Sequence, residues 1–449
     1  MRRWREIGEA GGGGATLAPP ASFPASDQAS VGLLALLALV AATVGSVAVL
    51  APWVGIDPPV PVLLVIAVGA VAVHRAPEHA FEITAVAGAL ALAAANPPYA
   101  LFHSAMVALL FLARRGTFAL AAVLGVLSIW LPKHLFSAHY HHRAAYNWIN
   151  EPSLALVLFV TACWWRARRD SRLPPAGETA SPLAWAAMYL FPGHVLNPMV
   201  FSPGDVYRRR GLELRGIAAS LLLIAVKGAA HVAIARSPVL GTLSYGALDG
   251  ARLAVLSRPE LWVVVAVGYV DLVLTLSGTA DVAVLLARLY GWPMPSPFRY
   301  ALLAWNPVEL WRRWGIYNRK VLLALVYFPL GGGRRHRTRN IMLTFLASAL
   351  LLHSGWFGSK YWEVGAGGWR DQTVYFLLQG LLVCGWMLVR DRTGDGARPD
   401  DHTLRLSWSR AAGTAATQAA SALVHVIVLA RALPFGDRFE MIARCLGLR

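Results

Sequence analysis

The chain has 449 residues, 57% of them hydrophobic and 14% charged, with a formal net charge of +17. Soluble domains carry about 25% charged residues, so the composition excludes an ordinary soluble globular protein and points to a bilayer. The basic excess is carried by loops between apolar runs, so it is not a nucleic-acid signature and no nucleic-acid partner is expected.

Apolar runs of membrane length recur from Val31 almost to the C-terminus. They predict an all-α polytopic integral membrane protein with roughly 10–12 transmembrane helices and some re-entrant or interfacial segments. Strands are disfavoured because inside lipid only helices and closed barrels satisfy their own backbone.

Residues 1–30 hold Arg2, Arg3 and Arg5, then a Gly/Ala/Pro/Ser-rich stretch where a signal peptide would have an apolar core. This reads as a disordered cytoplasmic tail and not as a cleavable signal. Spans are predicted near 31–54, 58–74, 80–96, 99–113, 116–132 and 152–166. With the N-terminus inside, the inner segments hold Arg2, Arg3, Arg5, Arg75, Arg114, Arg115, Arg166, Arg168, Arg169 and Arg172. The outer segments hold only Lys133 and Arg143. The positive-inside rule therefore predicts a cytoplasmic N-terminus in the cell membrane. Residues 31–449 are expected to form one membrane-embedded domain, with 31–166 as scaffold helices and 182–440 as the core.

His134, His139, His141 and His142 cluster in one predicted outer loop. Their spacing loosely resembles the histidine boxes of membrane di-iron oxidases, but such sites use about eight histidines in several boxes. The others (His74, His79, His103, His194, His231, His336, His353, His402 and His425) are scattered singly. A polar external loop is the favoured reading, with a zinc or acceptor-binding role and a di-iron oxidase as alternatives. Cys163, Cys384 and Cys445 show neither pairing nor metal spacing and read as reduced structural residues, so no metal is expected.

Further on, Phe191-Pro192-Gly193-His194, Asn197-Pro198 and Ser202-Pro203-Gly204-Asp205 interrupt an apolar segment. That density of breakers predicts a re-entrant segment, with an ordinary loop as the alternative. A long apolar helix near 262–289 is expected to be interrupted at Ser277-Gly278-Thr279-Ala280-Asp281, with Asp281 facing the interior. The segment 305–327 is amphipathic, with Leu310, Trp311 and Trp314 on one side and Arg312, Arg313, Arg319 and Lys320 on the other. It suits a helix at the cytoplasmic interface, where the arginines meet either a ligand or anionic lipid. The basic turn Gly331–Arg337, which includes Arg334, lacks the strand–loop–helix context of a nucleotide-binding loop. The apolar run after Asn340 carries His353, an ionisable residue that is costly to bury and so a functional candidate. Spans near 372–389 and 412–430 close the pattern. A third alternative, a transporter or an inactive scaffold, is disfavoured, since no inverted repeat stands out.

Taken together, three blocks resemble the membrane-bound O-acyltransferases. The likeness is greatest to the bacterial branch of alginate O-acetylases and the D-alanyl transfer protein of teichoic acid synthesis. Ser277-Gly278-Thr279-Ala280-Asp281 with Arg288-Leu289-Tyr290-Gly291 looks like that branch's "SGYSD…RLFG" segment. Trp311-Arg312-Arg313-Trp314 with Pro329-Leu330-Gly331-Gly332 is similar to its "FWRRW…PLGG" block, and Leu352-His353-Ser354-Gly355 falls at its "WHG" histidine. The resemblance implies acyl transfer from a cytoplasmic thioester, acyl-CoA or an acyl carrier protein, to a hydroxyl of a glycan, lipid or small molecule. No bound cofactor is implied.

A hydroxyl is a poor nucleophile near neutral pH and needs a base within hydrogen-bond reach, which the neutral imidazole of His353 supplies. Asn318, Tyr317 or Asn306 would orient that base or stabilise the oxyanion. Arg312, Arg313, Arg319, Lys320 and Arg334 would meet the donor. Trp311, Trp314, Asp281 and Ser277 would support the site. Expected partners are membrane lipids, the acyl donor, the acceptor and envelope or biosynthetic proteins. One departure stands out: many members have a histidine directly after the "RRW" block, where this chain has Gly315, with Asn318 expected on the same helical face.

Overall fold

The computed structural model describes residues 32–54, 56–95, 97, 100, 190–196, 211–242, 248–292, 294–353, 368–393, 408–430 and 433–448. The predicted tail 1–30, the spans near 99–113, 116–132 and 152–166, the histidine cluster of 134–142, Cys163 and residues 197–205 lie outside the described residues. So do the side chains of Leu352 and His353 and all of Ser354 and Gly355.

The described chain is helical throughout, with no strand among the described residues. Its helices are α1 (Leu33–Leu50), α2 (Val60–Arg75), α3 (Ala80–Ala95), α4 (Leu214–Arg236), α5 (Pro238–Thr242), α6 (Gly250–Val255) and α7 (Arg258–Leu289). They continue with α8 (Pro307–Arg313), α9 (Ile316–Leu322), α10 (Arg337–Ala347), α11 (Gly368–Thr393), α12 (Trp408–Leu429) and α13 (Phe435–Leu446). Six helical stretches among the described residues are long and apolar enough to cross a membrane: Leu33–Val54, Pro77–Ala95, Leu214–Arg236, Arg258–Leu289, Arg370–Arg392 and Trp408–Leu429. Val60–Arg75 is a shorter apolar helix. This is an all-α, multi-pass membrane protein. Leu34, Leu222 and Val226 on the span helices are exposed, as residues facing acyl chains would be.

The chain divides into two compact units, neither contiguous in sequence. The first comprises residues up to Val49, Asp57–Leu221 and Val282–Met294. Here α2 and α3 pack along each other and hold the end of α7. Gly69 is required by close approach: a Cβ there would lie 2.3 Å from Tyr290 Oη and 2.7 Å from Ala87 Cβ. Tyr290 donates to the Ile66 carbonyl (3.0 Å), and Phe191 meets Tyr290 and Trp292 edge-on. The breaker run Phe191-Pro192-Gly193-His194 forms a 3-10 turn, Pro192–Val195, whose residues are all buried. Protein covers its irregular backbone, the condition under which such backbone is tolerated at membrane depth.

The second unit comprises Leu50–Ile56, Leu222–Asp281 and Pro295–Arg449. One expectation needs correction here: α7 runs without interruption through Ser277–Asp281. The hydroxyls of Ser277 and Thr279 turn back onto their own helix, at Leu274 O (3.4 Å) and Leu276 O (2.9 Å). Gly278 is small because a Cβ would come within 2.5 Å of Val54 Cγ1. Small and hydroxyl-bearing residues thus let helices approach without breaking one.

The C-terminal end of the unit is tied by α13. Its Arg438 is buried, donates to Asp371 Oδ2 (2.6 Å), and adds bonds to the carbonyls of Ile427 (2.6 Å) and Leu433 (3.0 Å). One guanidinium therefore joins the start of α11 to an orphan carbonyl at the end of α12 and to the connection that follows it. Arg444 bonds the Leu253 and Leu256 carbonyls in the same way at the end of α6. Removing Arg438 leaves the buried Asp371 carboxylate with only the more exposed Arg370, 3.5 Å away, a loss of up to about 3–5 kcal/mol. Arg438→Met should therefore lower the unfolding midpoint of the purified protein sharply, and adding Asp371→Leu should restore much of the loss.

Candidate active site

The Trp305–Arg313 segment is fixed first by its own ends. Asn306 is the N-cap of α8: its Oδ1 accepts from the Glu309 amide (2.8 Å), and Pro307 follows where a missing N–H costs nothing. Glu309 returns the bond, accepting from the Trp305 amide (2.9 Å) through Oε2, while Oε1 accepts from Arg313 Nε (3.0 Å). Asn306 thus uses its side chain as a helix cap, and Arg313 is neutralised within its own turn.

Trp311 and Trp314, three residues apart, share a face. Trp311 packs edge-on against Phe345 (5.1 Å) and its Nε1 donates to Gln379 Oε1 (3.4 Å). Trp314 stacks on Tyr269 (6.4 Å, 8°) and meets Phe298 edge-on. Leu310 is buried beside them, so the expected apolar side is present.

The chain then turns. Gly315 adopts a left-handed conformation (φ +56°) as N-cap of α9, so it is not on a helical face with Asn318 as the sequence suggests. The amphipathic stretch is two short helices meeting at a glycine joint, not one. A strap, Pro295–Arg299, lies beside the joint: Tyr317 Oη donates to Pro295 O (2.7 Å), the Ile316 amide to Pro297 O (3.1 Å) and the Arg299 amide to Arg313 O (2.9 Å). The strap is anchored by Asp281, which is buried and accepts from Ser296 Oγ (2.7 Å) and from Lys227 Nζ. Tyr317 therefore spends its proton on a carbonyl and Asp281 serves as an inter-helix tie. Ser277 is buried in α7. Asn318 is half-buried, with its amide uncommitted among the described residues. Lys320 lies over the Tyr317 ring (5.7 Å).

Arg319 differs from its neighbours. Its Nε is buried without a hydrogen-bond partner. Burial, then repulsion from Arg312 and Arg299, pulls its guanidinium below the ordinary arginine value.

After α9 the helix widens into a π-helical turn, Leu323–Tyr327, and leads into the glycine turn. Gly331 (φ +102°) and Gly332 (φ +60°) take backbone shapes that side chains rarely adopt. Asn340, fully buried, ties this turn down by bonds from its amide to Gly332 O (2.9 Å) and Arg335 O (2.7 Å). Arg334 is exposed on the turn. From α10 the chain passes into a second π-helical segment, Ser348–His353, which ends on the candidate histidine. Such single-turn widenings are rare and frequently mark functional positions. Its Ala349 packs with Tyr375, Phe376 and Ile427 of α11 and α12.

Sequence reasoning missed the polar centre of this core. His425 is buried in α12, with Nδ1 on the Ser421 carbonyl (2.7 Å) and Nε2 on Tyr375 Oη (2.8 Å). A carbonyl only accepts, so Nδ1 carries the proton and the neutral ring takes the Tyr375 proton at Nε2. Tyr269 (4.9 Å) and Trp314 (5.8 Å) flank the imidazole. Gln418 accepts from Tyr269 Oη (2.9 Å) and reaches Ala301 O and Ala304 O, while Gln379 donates to Ser421 Oγ (3.2 Å). The available signal was spacing: Gln418, Ser421 and His425 stand three and four apart in an apolar span, which marks a face turned toward protein.

No known family model matches the chain. Curated relatives do. The chain is 27% identical over 148 residues to the peptidoglycan O-acetyltransferase of Helicobacter pylori, covering 32% of this chain and 27% of that protein. It is 30% identical over 97 residues to the probable alginate O-acetylase AlgI of Pseudomonas putida, covering 21% and 19%. With the Pseudomonas aeruginosa protein of that name it shares 27% identity over 126 residues, covering 27% and 21%. The matched stretches thus span between about a fifth and a quarter of the length of these relatives. They support a likeness to O-acetyltransferases of the membrane-bound O-acyltransferase type.

Two substitutions test this core. Tyr375→Phe leaves a buried imidazole nitrogen unmatched, at about 1–3 kcal/mol, and should lower the unfolding midpoint. Combined with His425→Phe, the loss should fall short of the sum, because both act on one bond. At the joint, Gly315→Ala should destabilise by about 1–2 kcal/mol through left-handed strain alone, since no atom lies within 4 Å of the new Cβ. Gly315→Asn should be better tolerated.

Proposed function

We propose that this protein is a membrane-bound O-acyltransferase that moves an acyl group from a cytoplasmic thioester onto a hydroxyl, with an envelope glycan as the favoured acceptor. The observation that carries this reading is the continuous run from the Trp311–Trp314 block through the glycine turn to the π-helical segment ending at His353. The same block resembles the acyltransferase pattern, and the relatives named above are O-acetylases of peptidoglycan and alginate. The protein would reside in the cell membrane with its N-terminus in the cytoplasm, where acyl-CoA and acyl carrier protein are found.

In this reading His353 is the general base. Its neutral imidazole takes the acceptor proton as the oxygen attacks the thioester carbonyl. The tetrahedral oxyanion then collapses, the carbon–sulfur bond breaks, and the departing thiolate takes the proton back from the imidazolium. Of the three groups considered, we assign the oxyanion to Asn318, because Asn306 caps a helix and Tyr317 bonds a carbonyl while the Asn318 amide is uncommitted among the described residues. The acceptor is identified by its product: a glycan, a lipid or a small molecule would each carry a new ester.

The test compares ester-linked acyl groups by mass spectrometry in a deletion strain, the same strain with wild-type protein, and one with His353→Ala at equal membrane abundance. An ester found only with wild type is expected, with at least a hundredfold loss in the variant, the scale of a missing general base. Identical esters in wild type and variant would sink the catalytic role of His353.

A further inference from the structure

The seam between α4 and α7 carries two ionisable pairs of different kinds. Lys227 meets Asp281, which is closed in and spends its other oxygen on Ser296. One turn further along α4, His231 Nδ1 meets Asp271 Oδ1 at 2.6 Å, and this pair is open, with side chains 26% and 32% exposed. Tyr269, which faces the aromatic core, stands two residues before Asp271. Two residues turn a helix by about 200°, so the pair points away from that core and from the candidate active site.

The pair is incomplete in both hydrogen bonds and charge. A carboxylate only accepts, so Nδ1 carries the proton and a lone pair is left on Nε2. Neither Nε2 nor Asp271 Oδ2 has a partner among the described residues. Thr275 fills neither, because its hydroxyl donates to the Asp271 carbonyl (2.8 Å). With a neutral imidazole the pair holds one negative charge, and Lys227 is already matched by Asp281. A carboxylate without a counter-charge on an apolar span is costly, so the site calls for a cation that also carries hydrogen-bond donors. A metal centre would need further ligands, and no group of three His, Cys, Asp or Glu side chains is assembled among the described residues. Trp53 adds an aromatic surface. It lies against Gly228, three residues before His231, where a Cβ would come within 2.7 Å of Trp53 Cβ, and it is exposed. His231 stands five residues from the end of α4 at Arg236, about 8 Å along the axis.

We propose that His231, Asp271 and Trp53 form a binding site for a primary ammonium group. Such a group brings one positive charge and N–H donors for both Nε2 and Oδ2, while its alkyl carbons meet the indole. A quaternary ammonium has no donor to offer, and imidazole nitrogen gives little to a hard cation. A phosphatidylethanolamine headgroup and a water-borne amine both carry this chemistry. In acid the imidazole takes a proton at Nε2, supplies the missing charge itself and removes the acceptor, so ligand and proton compete. Along α4 the flanking titratable groups are Lys227 and the exposed Arg236, and along α7 they are Asp281 and Tyr269. The 3-10 turn Ala51–Val54 brings none.

The test places purified full-length protein in micelles with equal amounts of phosphatidylethanolamine and phosphatidylcholine, recovers it, and measures the retained lipids by mass spectrometry. Wild type should favour phosphatidylethanolamine by about tenfold at about pH 8 and lose that preference at about pH 5. Asp271→Asn and Trp53→Leu should each reduce the preference severalfold, and the exposed Trp53 reports even if the charge variant fails to fold. A second measurement needs no variant: carbethoxylation of His231 by diethyl pyrocarbonate should be slowed by phosphatidylethanolamine and not by phosphatidylcholine. Ethanolamine, added to protein in phosphatidylcholine alone, separates the two sources. Protection of His231 by ethanolamine makes the ligand a water-borne amine, and protection by the lipid alone makes it a headgroup. Equal retention of both lipids with His231 unprotected by either amine would refute the site. A preference unchanged in Asp271→Asn, or undiminished at about pH 5, would reduce the pair to a structural tie.

Discussion

Lipid leaves helices without a hydrophobic reason to choose one another, since acyl chains are as apolar as leucine. What selects the packing is the demand that every polar group in the interior find a partner. In the second unit that demand is met by a few long-range ties: Lys227 with Asp281, Arg438 with Asp371, Tyr375 with His425, and Gln418 with Tyr269 and two loop carbonyls. Each joins segments far apart in sequence, and each would be expensive to leave half-made. Helix order in this unit follows from these matches more than from the apolar residues around them.

The candidate site inherits its precision from the same ties. Asp281 holds Ser296, the strap that begins there holds Tyr317 and Ile316, and the joint at Gly315 sets the direction of α9. On the other side, the Tyr375–His425 pair and Gln379 hold the two tryptophans, so the block is clamped from α7, α11 and α12 at once. Arginines on the outward side are then sorted by what remains to bond. Arg313, near a carboxylate, becomes a brace, whereas Arg319 keeps a buried Nε with no acceptor among the described residues.

Two π-helical segments bracket the glycine turn, one before it and one ending at His353. An extra residue in a helical turn shifts the register of everything beyond it, which re-aims side chains at a modest loss of hydrogen-bond quality. That both widenings occur within the stretch that resembles an acyltransferase motif ties local backbone geometry to the proposed chemistry. Asn340 supports the same stretch by anchoring the turn, a role invisible in its spacing because its partners are backbone carbonyls.

Much of the architecture was legible in the sequence, because span length and apolar content report directly on a bilayer. The spans predicted at 31–54, 58–74, 80–96, 372–389 and 412–430 coincide with helices to within a few residues, and the Trp311/Trp314 face follows from helical spacing. The break expected at Ser277–Asp281 did not occur, since hydroxyls that look disruptive on paper bonded back to their own helix and Gly278 served a close contact. Nor did the sequence reveal that Asn306 is a cap, that Arg313 is braced while Arg319 is not, or that His425 lies at the centre of the aromatic core. Composition and periodicity determined which segments enter the membrane, because those depend on each segment's own transfer from water. Which polar side chains are satisfied and which remain available was decided only by tertiary structure, because a hydrogen bond needs both partners in place.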